Sequence, residues 1–122
     1  MNDIYSEVIL DHYQNPRNKG VINNPSYQVL VVNYLCGDKL NLFIKINSKG
    51  IIKDIKFLPS GCAISIATMS MLTEYLKGKH KDELKKINKD FIIKMLGIKL
   101  GVNRLKCALL SLEAIKKIIH EK

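Results

Sequence analysis

The sequence has 122 residues, 47% of them hydrophobic, and its 20 Lys and Arg residues against 11 Asp and Glu give a net charge of +9. This length suits one domain that buries roughly two-thirds of the surface its unfolded chain exposes, and the composition excludes intrinsic disorder. No apolar run approaches the roughly 20 residues that a membrane-spanning helix needs, and the acidic, amphipathic start argues against a secretory leader. We expect a single domain over residues 1–122, cytoplasmic and without a membrane partner.

The positive charge is carried almost entirely by lysine, because only Arg17 and Arg104 among the basic residues are arginine. The lysines are spread along the chain with no aromatic residues interleaved. Surfaces that read nucleic acid favour arginine and stacking aromatic side chains. The charge therefore argues against a nucleic-acid partner and is at least as consistent with docking to an acidic protein.

The first half of the chain predicts one helix and then three strands. Apolar residues at helical spacing predict a helix over residues 3–13, which ends before Pro16 because the residue preceding proline avoids helical backbone. Apolar β-branched composition and alternation predict strands over residues 27–33, 40–46 and 51–58. The turn between the last two strands is short enough to make them a hairpin.

The second half has the composition and spacing of helices. A helix over residues 63–77 is followed by Gly78, a typical stop signal, and two shorter helices are predicted over 81–86 and 90–96. The last helix is predicted over residues 104–120. Strands that precede helices in this way predict an α+β fold, with helices packed on one face of a three-stranded antiparallel sheet.

The chain has three cysteines, Cys36, Cys62 and Cys107, separated by 26 and 45 residues. They cannot all be paired within one chain, and no Cys-x-x-Cys motif is present, so a disulfide scaffold is excluded and a reducing cytoplasm is expected. Each cysteine lies near a predicted element boundary. Cys36 falls between the first two strands, Cys62 opens a helix, and Cys107 lies in about the first turn of the last helix.

These positions are compatible with one shared site. If residues 36–38 are extended, Cys36 and Asp38 point to the same side, and Gly37 lets the backbone bend close to it. The partial positive charge at a helix N-terminus stabilises a thiolate at Cys62. Three thiolates and a carboxylate suit tetrahedral zinc, and thiolates suit iron–sulfur ligation. The alternative at this point is that the cysteines are buried and inert.

Five segments, in order along nearly the whole chain, resemble the NifU-type iron–sulfur assembly proteins, a family with IscU and SufU branches. The segments are residues 5–18, which end in an Asn-Pro-Arg-Asn turn, the Cys-Gly-Asp triplet at 36–38, the Gly-Cys helix start at 61–67, the helix end at 73–79, and the Arg-Leu-Lys-Cys-Ala segment at 104–108.

The resemblance implies an α+β fold and a metal site formed by Cys36, Asp38, Cys62 and Cys107, holding zinc or iron and, transiently, a [2Fe-2S] cluster. It implies a PLP-dependent cysteine desulfurase as partner, with Cys107 and Cys36 as candidate acceptors of persulfide sulfur. Recipient apo-proteins would then take the cluster. The chain is expected to be a monomer or weak dimer and a non-enzymatic scaffold, with a sulfurtransferase-type acceptor activity at most.

Arg104 and Lys106 are either solvated charges at the start of the last helix or cations that contact the ligands. Three thiolates, a carboxylate and one divalent ion sum to a charge of about −2, which two cations would offset. Arg104 is the better candidate for a directed contact because its planar guanidinium makes oriented hydrogen bonds.

The residues leave the branch open. Lys106 stands where IscU-type proteins have His, and the Ser- and Met-rich stretch 65–71 also favours SufU. However, the step from Cys62 to Cys107 has no room for the SufU insertion, and residues 101–103 lack the Leu-Pro-Pro-Val stretch of the IscU branch.

Two functions are therefore carried as alternatives. The first is a scaffold that accepts sulfur and holds a cluster, and the second is a zinc-dependent sulfur relay that activates the desulfurase. A structural zinc module and a cysteine-nucleophile hydrolase fit less well, because closely paired ligands and a supported His base are missing.

Overall fold

The computed structural model describes residues 3–34 and 37–120, which form a three-stranded sheet with helices packed against it. The elements in chain order are α1 (Asp3–Gln14), β1 (Tyr27–Asn33), β2 (Asp38–Ile46), β3 (Ile52–Ser60), α2 (Ala63–Leu76), α3 (Lys89–Leu96) and α4 (Val102–His120). Between α2 and α3, Lys81–Lys86 forms a 3-10 helix. The predicted α+β fold is confirmed. No helix in this part of the chain is long and apolar enough to cross a membrane.

The sheet is antiparallel with β2 in the centre, because β1 and β3 both pair with it. Alternate strand residues form the buried face, as a period of two requires. The buried residues of this face include Val29, Val31, Leu40, Leu42, Ile44, Ile55 and Phe57. Helix α4 packs on β1 and β2, α2 packs on β3 and α4, and α1 lies outside α2.

Two strand boundaries differ from the sequence-based expectation. β2 begins at Asp38, two residues early, because Asp38 pairs with Asn33 and closes the β1–β2 hairpin. β3 runs from Ile52 to Ser60 and includes Pro59, which is tolerated because β3 is an edge strand. The start of the last helix also differs from the expectation: α4 begins at Val102, before the predicted residue 104.

The turn after α1 attaches that helix to both α2 and β3. Asn18 has a left-handed backbone with φ of 62°, and its side chain donates to the Thr73 hydroxyl over 3.2 Å. The Arg17 N–H donates to the Ser70 hydroxyl over 2.8 Å. The Phe57 N–H donates to the Asn18 carbonyl over 3.1 Å. Asparagine tolerates this backbone better than most residues, which explains why it ends the turn.

His12 is buried between α1 and α2 and packs as a neutral side chain. Its Nδ1 lies 2.7 Å from the Ser70 hydroxyl, whose oxygen also accepts the Arg17 N–H. Burial lowers the pKa of His12, and the Arg17 cation lowers it further, while Glu74 and Asp11 oppose the shift.

We expect the free energy of unfolding to fall more between about pH 7.5 and about pH 5 in the wild type than in His12→Gln. The unfolded chain takes up a proton near the ordinary value of 6.5, whereas the folded chain resists it. The contribution of His12 is therefore present above that pH and is lost as the pH falls through the folded pKa. Urea unfolding at both pH values measures this. His120→Gln, on the exposed end of α4, is the matched control, and equal losses in wild type and His12→Gln would contradict the expectation.

Candidate metal centre

Three side chains with metal-binding atoms meet where the sheet, α2 and α4 come together. Asp38 is the first residue of β2, Cys62 is the N-cap of α2, and Cys107 lies in the second turn of α4. One ligand atom from each of them lies within 4.8 Å of the other two. Asp38 and Cys107 are buried and Cys62 is half-buried. The sequence-based placement of Cys107 in about the first turn was one turn early, because α4 begins at Val102.

Cys36, the fourth predicted ligand, lies outside the described residues. Its neighbourhood differs from the extended segment on which the sequence argument relied. Gly37 has a positive φ of 74°, and its N–H donates to the Asn33 carbonyl over 2.8 Å. Both observations belong to a turn that joins β1 to β2, so the alternation rule for strands does not apply to residue 37.

The Asp38 carboxylate is held against the first turn of α2 by two hydrogen bonds. Oδ1 accepts the backbone N–H of Cys62 over 3.1 Å, and Oδ2 accepts the hydroxyl of Ser65 over 2.8 Å. The Cys62 side chain makes no capping hydrogen bond of its own. Asp38 therefore places a negative charge from another element at this helix N-terminus, where the helix dipole stabilises it.

Gly61 allows this approach. Its φ is 153°, in a region that other residues rarely adopt. A Cβ built at this position would overlap the Oδ1 atom of Asp38. Glycine is thus required both by the backbone and by the space that the carboxylate occupies.

The separation of the three donors fits a metal ion with a small adjustment. In a tetrahedral site with metal–sulfur bonds of about 2.3 Å, neighbouring ligand atoms are about 3.8 Å apart. The observed upper limit of 4.8 Å exceeds this by about one ångström. Cys62 is only half-buried, so its side chain is the least confined of the three donors. Two sulfurs and a carboxylate oxygen in this arrangement suit zinc or iron.

Cys62 and Cys107 line a cavity of about 550 Å³. Its lining residues are Asn33, Cys62, Ala63, Ile64, Asn103, Arg104, Lys106 and Cys107. Arg104 and Lys106 are solvent-exposed on this wall, so the mouth of the site is basic. The cavity gives both described sulfurs a route to solvent or to a partner.

Ser65 is a site residue that sequence reasoning did not single out. Besides its bond to Asp38, its hydroxyl lies 3.1 Å from the backbone carbonyl of Cys107 and 3.5 Å from the Cys62 sulfur. The signal in the sequence was its spacing, because residues three apart in a helix are neighbours on the same face, and Ser65 is three residues after Cys62.

We expect Gly61→Ala to destabilise the fold and to displace Asp38. The backbone cost alone is about 1–3 kcal/mol, and the added methyl group must also move a buried carboxylate. Gly78→Ala is the control, because Gly78 has a positive φ of 90° but no atom near a new Cβ. Denaturant unfolding should show a larger loss for Gly61→Ala than for Gly78→Ala. Equal losses would mean that the contact with Asp38 contributes nothing.

The family comparison matches almost the whole chain. The model of the NifU-like N terminal domain matches residues 4–121. The iron–sulfur cluster assembly scaffold protein IscU of Escherichia coli (strain K12) is 41% identical over 120 residues, which cover 96% of this chain and 92% of that protein. The corresponding IscU 1 of Archaeoglobus fulgidus is 40% identical over 116 residues, covering 95% of this chain and 74% of that protein.

Solved structures agree with this relationship. A candidate iron–sulfur cluster assembly scaffold protein for the SUF system, from Fervidobacterium islandicum AW-1, superposes with a TM-score of 0.79 at 28% identity and covers 96% of this chain and 97% of its own. The N-terminal NifU-like protein of Brucella abortus has a TM-score of 0.76 at 22% identity over 98% and 94% of the two chains, and shares the fold. The chain belongs to the NifU-like family, in which the IscU and SufU types are found.

Proposed function

We propose that this protein is a cytoplasmic, single-domain scaffold for iron–sulfur cluster assembly that accepts sulfur from a PLP-dependent cysteine desulfurase. The observation that carries the proposal is the approach of donor atoms from Asp38, Cys62 and Cys107 to within 4.8 Å of one another. The scaffold names of its relatives from Escherichia coli and Archaeoglobus fulgidus support it.

The chemistry of the donors suits a cluster that is held and then released. Thiolates are soft ligands that bind iron in iron–sulfur clusters, whereas a carboxylate oxygen is harder and binds these metals less strongly. In the proposal Cys36 supplies the third thiolate, and Asp38 is the ligand that exchanges. A [2Fe-2S] cluster would be cargo, passed on to recipient apo-proteins.

The charges around the cavity favour both a bound cluster and a docked partner at its opening. Three thiolates and a carboxylate leave a net negative charge around one divalent ion, and Arg104 and Lys106 stand on the cavity wall. The chain as a whole carries +9. An acidic face on the desulfurase would therefore be attracted, and added salt would weaken the complex.

The sulfur step needs only a thiolate on this chain. The thiolate of Cys107 or Cys36 attacks the outer sulfur of the desulfurase persulfide, forming a new S–S bond while the original one breaks. The desulfurase cysteine leaves as a thiolate, and the terminal sulfur keeps its proton, so no external oxidant or reductant is required. Cys107 lines the open cavity next to Arg104 and Lys106, which stabilise a thiolate.

A zinc-dependent sulfur relay is the second candidate function. Lys106, the residue before Cys107, follows the SufU type, and the SUF-system structure resembles this chain over nearly its full length. The two functions differ in what the site holds. Metal analysis of the purified protein, followed by an optical spectrum after anaerobic reconstitution, separates them: bound zinc and no cluster absorption would favour the relay.

We expect Asp38→Ala to retain a reconstituted cluster for longer than the wild type when a chelator is added. The change removes the oxygen ligand and leaves the thiolates, which hold iron more strongly. The decay of the cluster absorption measures it. Cys62→Ser should lose the cluster, and Asp90→Ala, which removes an exposed carboxylate from α3, should match the wild type. Loss of cluster from Asp38→Ala as complete as from Cys62→Ser would contradict ligand exchange at Asp38.

We expect incubation with a cysteine desulfurase, cysteine and PLP to add a mass of about 32 Da, one sulfur atom, to the intact protein. Non-reducing mass spectrometry followed by peptide mapping should locate the adduct on Cys107 or Cys36. The variants Cys107→Ser and Cys36→Ser decide between them. If neither an adduct nor faster desulfurase turnover is seen, the protein is no sulfur acceptor.

A further inference from the structure

The hydroxyl of Ser65 contacts all three described ligand residues. Ser65 is the third residue of α2 and is buried. Its oxygen lies 2.8 Å from Oδ2 of Asp38, 3.1 Å from the carbonyl oxygen of Cys107 and 3.5 Å from the sulfur of Cys62. One side chain thus links β2, the start of α2 and α4.

The contact with Asp38 is the strongest of the three. A serine hydroxyl has one proton, so it donates either to the carboxylate or to the Cys107 carbonyl at any moment. A hydrogen bond to a charged acceptor is shorter and roughly twice as strong as one to a neutral acceptor. The shorter distance to the Asp38 carboxylate agrees with that preference.

Two other buried hydroxyls in these helices, those of Ser111 and Thr68, are used differently. Ser111 donates to the Ala108 carbonyl, and Thr68 donates to the Ile64 carbonyl. Both bonds stay within one helical turn and serve only the helix itself. Ser65 instead reaches a residue 27 positions away in another element. Local helix chemistry therefore does not account for its orientation.

We propose that Ser65 is a positioning residue that orients the Asp38 carboxylate for metal and thereby raises the metal affinity of the site. The Cys62 N–H binds one carboxylate oxygen. The Ser65 hydroxyl fixes the second oxygen and with it the plane of the carboxylate. The inference rests on the proposed function, because it assigns a metal to this site.

Co²⁺ titration against a competing chelator tests this role. Ser65→Ala is expected to lower Co²⁺ affinity by about 10- to 100-fold, as the loss of a hydrogen bond to a metal ligand does elsewhere. The sulfur-to-cobalt absorption at saturation should be unchanged, because no thiolate is removed. Ser111→Ala, the same substitution at another buried serine, should bind as the wild type does.

A double-variant cycle separates positioning from a general structural effect. In an Asp38→Ala background, Ser65→Ala should change Co²⁺ affinity by less than about twofold, since Ser65 acts through the missing carboxylate. If Ser65→Ala unfolds without metal, the isosteric variants Ser65→Thr and Ser65→Val replace it. Ser65→Thr, which keeps the hydroxyl, is expected to bind Co²⁺ at least about tenfold more tightly than Ser65→Val.

The outcomes are distinct. Three results would overturn the role of Ser65 alone. In the first, the wild type and Ser65→Ala bind Co²⁺ equally tightly. In the second, Ser65→Ala lowers Co²⁺ affinity equally with and without Asp38, and in the third the Thr and Val variants bind Co²⁺ equally. A wild type that binds no Co²⁺ overturns the proposed function, and the role of Ser65 with it.

Discussion

The carboxylate of Asp38, held at the N-terminus of α2, is the contact on which the rest of the site depends. Asp38 pairs with Asn33 at the closed end of the β1–β2 hairpin, so its position is set by the sheet. Its two oxygens bind the Cys62 N–H and the Ser65 hydroxyl. A buried charge without such partners would be costly, and a hydrogen bond to a charged group contributes about 1.5–3 kcal/mol. The sheet and α2 are therefore joined at the point where the donors meet.

The same carboxylate faces two positive charges: the partial charge at the N-terminus of α2 and the metal ion of the proposed function. The helix N-terminus carries a partial positive charge and withdraws electron density from Asp38 through the Cys62 N–H. The thiolates of Cys62 and Cys107 match soft metals better than the carboxylate does. This difference gives a physical basis for one exchangeable ligand among stronger ones.

Sequence patterns were sufficient for the sheet and for part of the site. Alternation over residues 40–46 depends only on the period of a strand, and the start of α2 at Cys62 follows from the preceding turn residues and the apolar run after it. The early start of β2 was not predictable, because it depends on pairing between Asp38 and Asn33 across the hairpin. The second-turn position of Cys107 was missed for a related reason: helix boundaries are the weakest part of any periodicity argument.

Ser65 illustrates a limit that applies to α2 as a whole. This helix is apolar on most of its surface, and its buried hydroxyls show no pattern that distinguishes one from another. Three of them have partners in other elements: Ser65 binds Asp38, Ser70 lies against His12, and Thr73 accepts from Asn18. The backbone of a helix satisfies its own hydrogen bonds, so these hydroxyls are free to specify which neighbour packs where. The role of a polar residue in such a helix therefore depends on the element that it faces. Removing one of these hydroxyls should weaken the packing of that element against α2, while α2 itself stays helical.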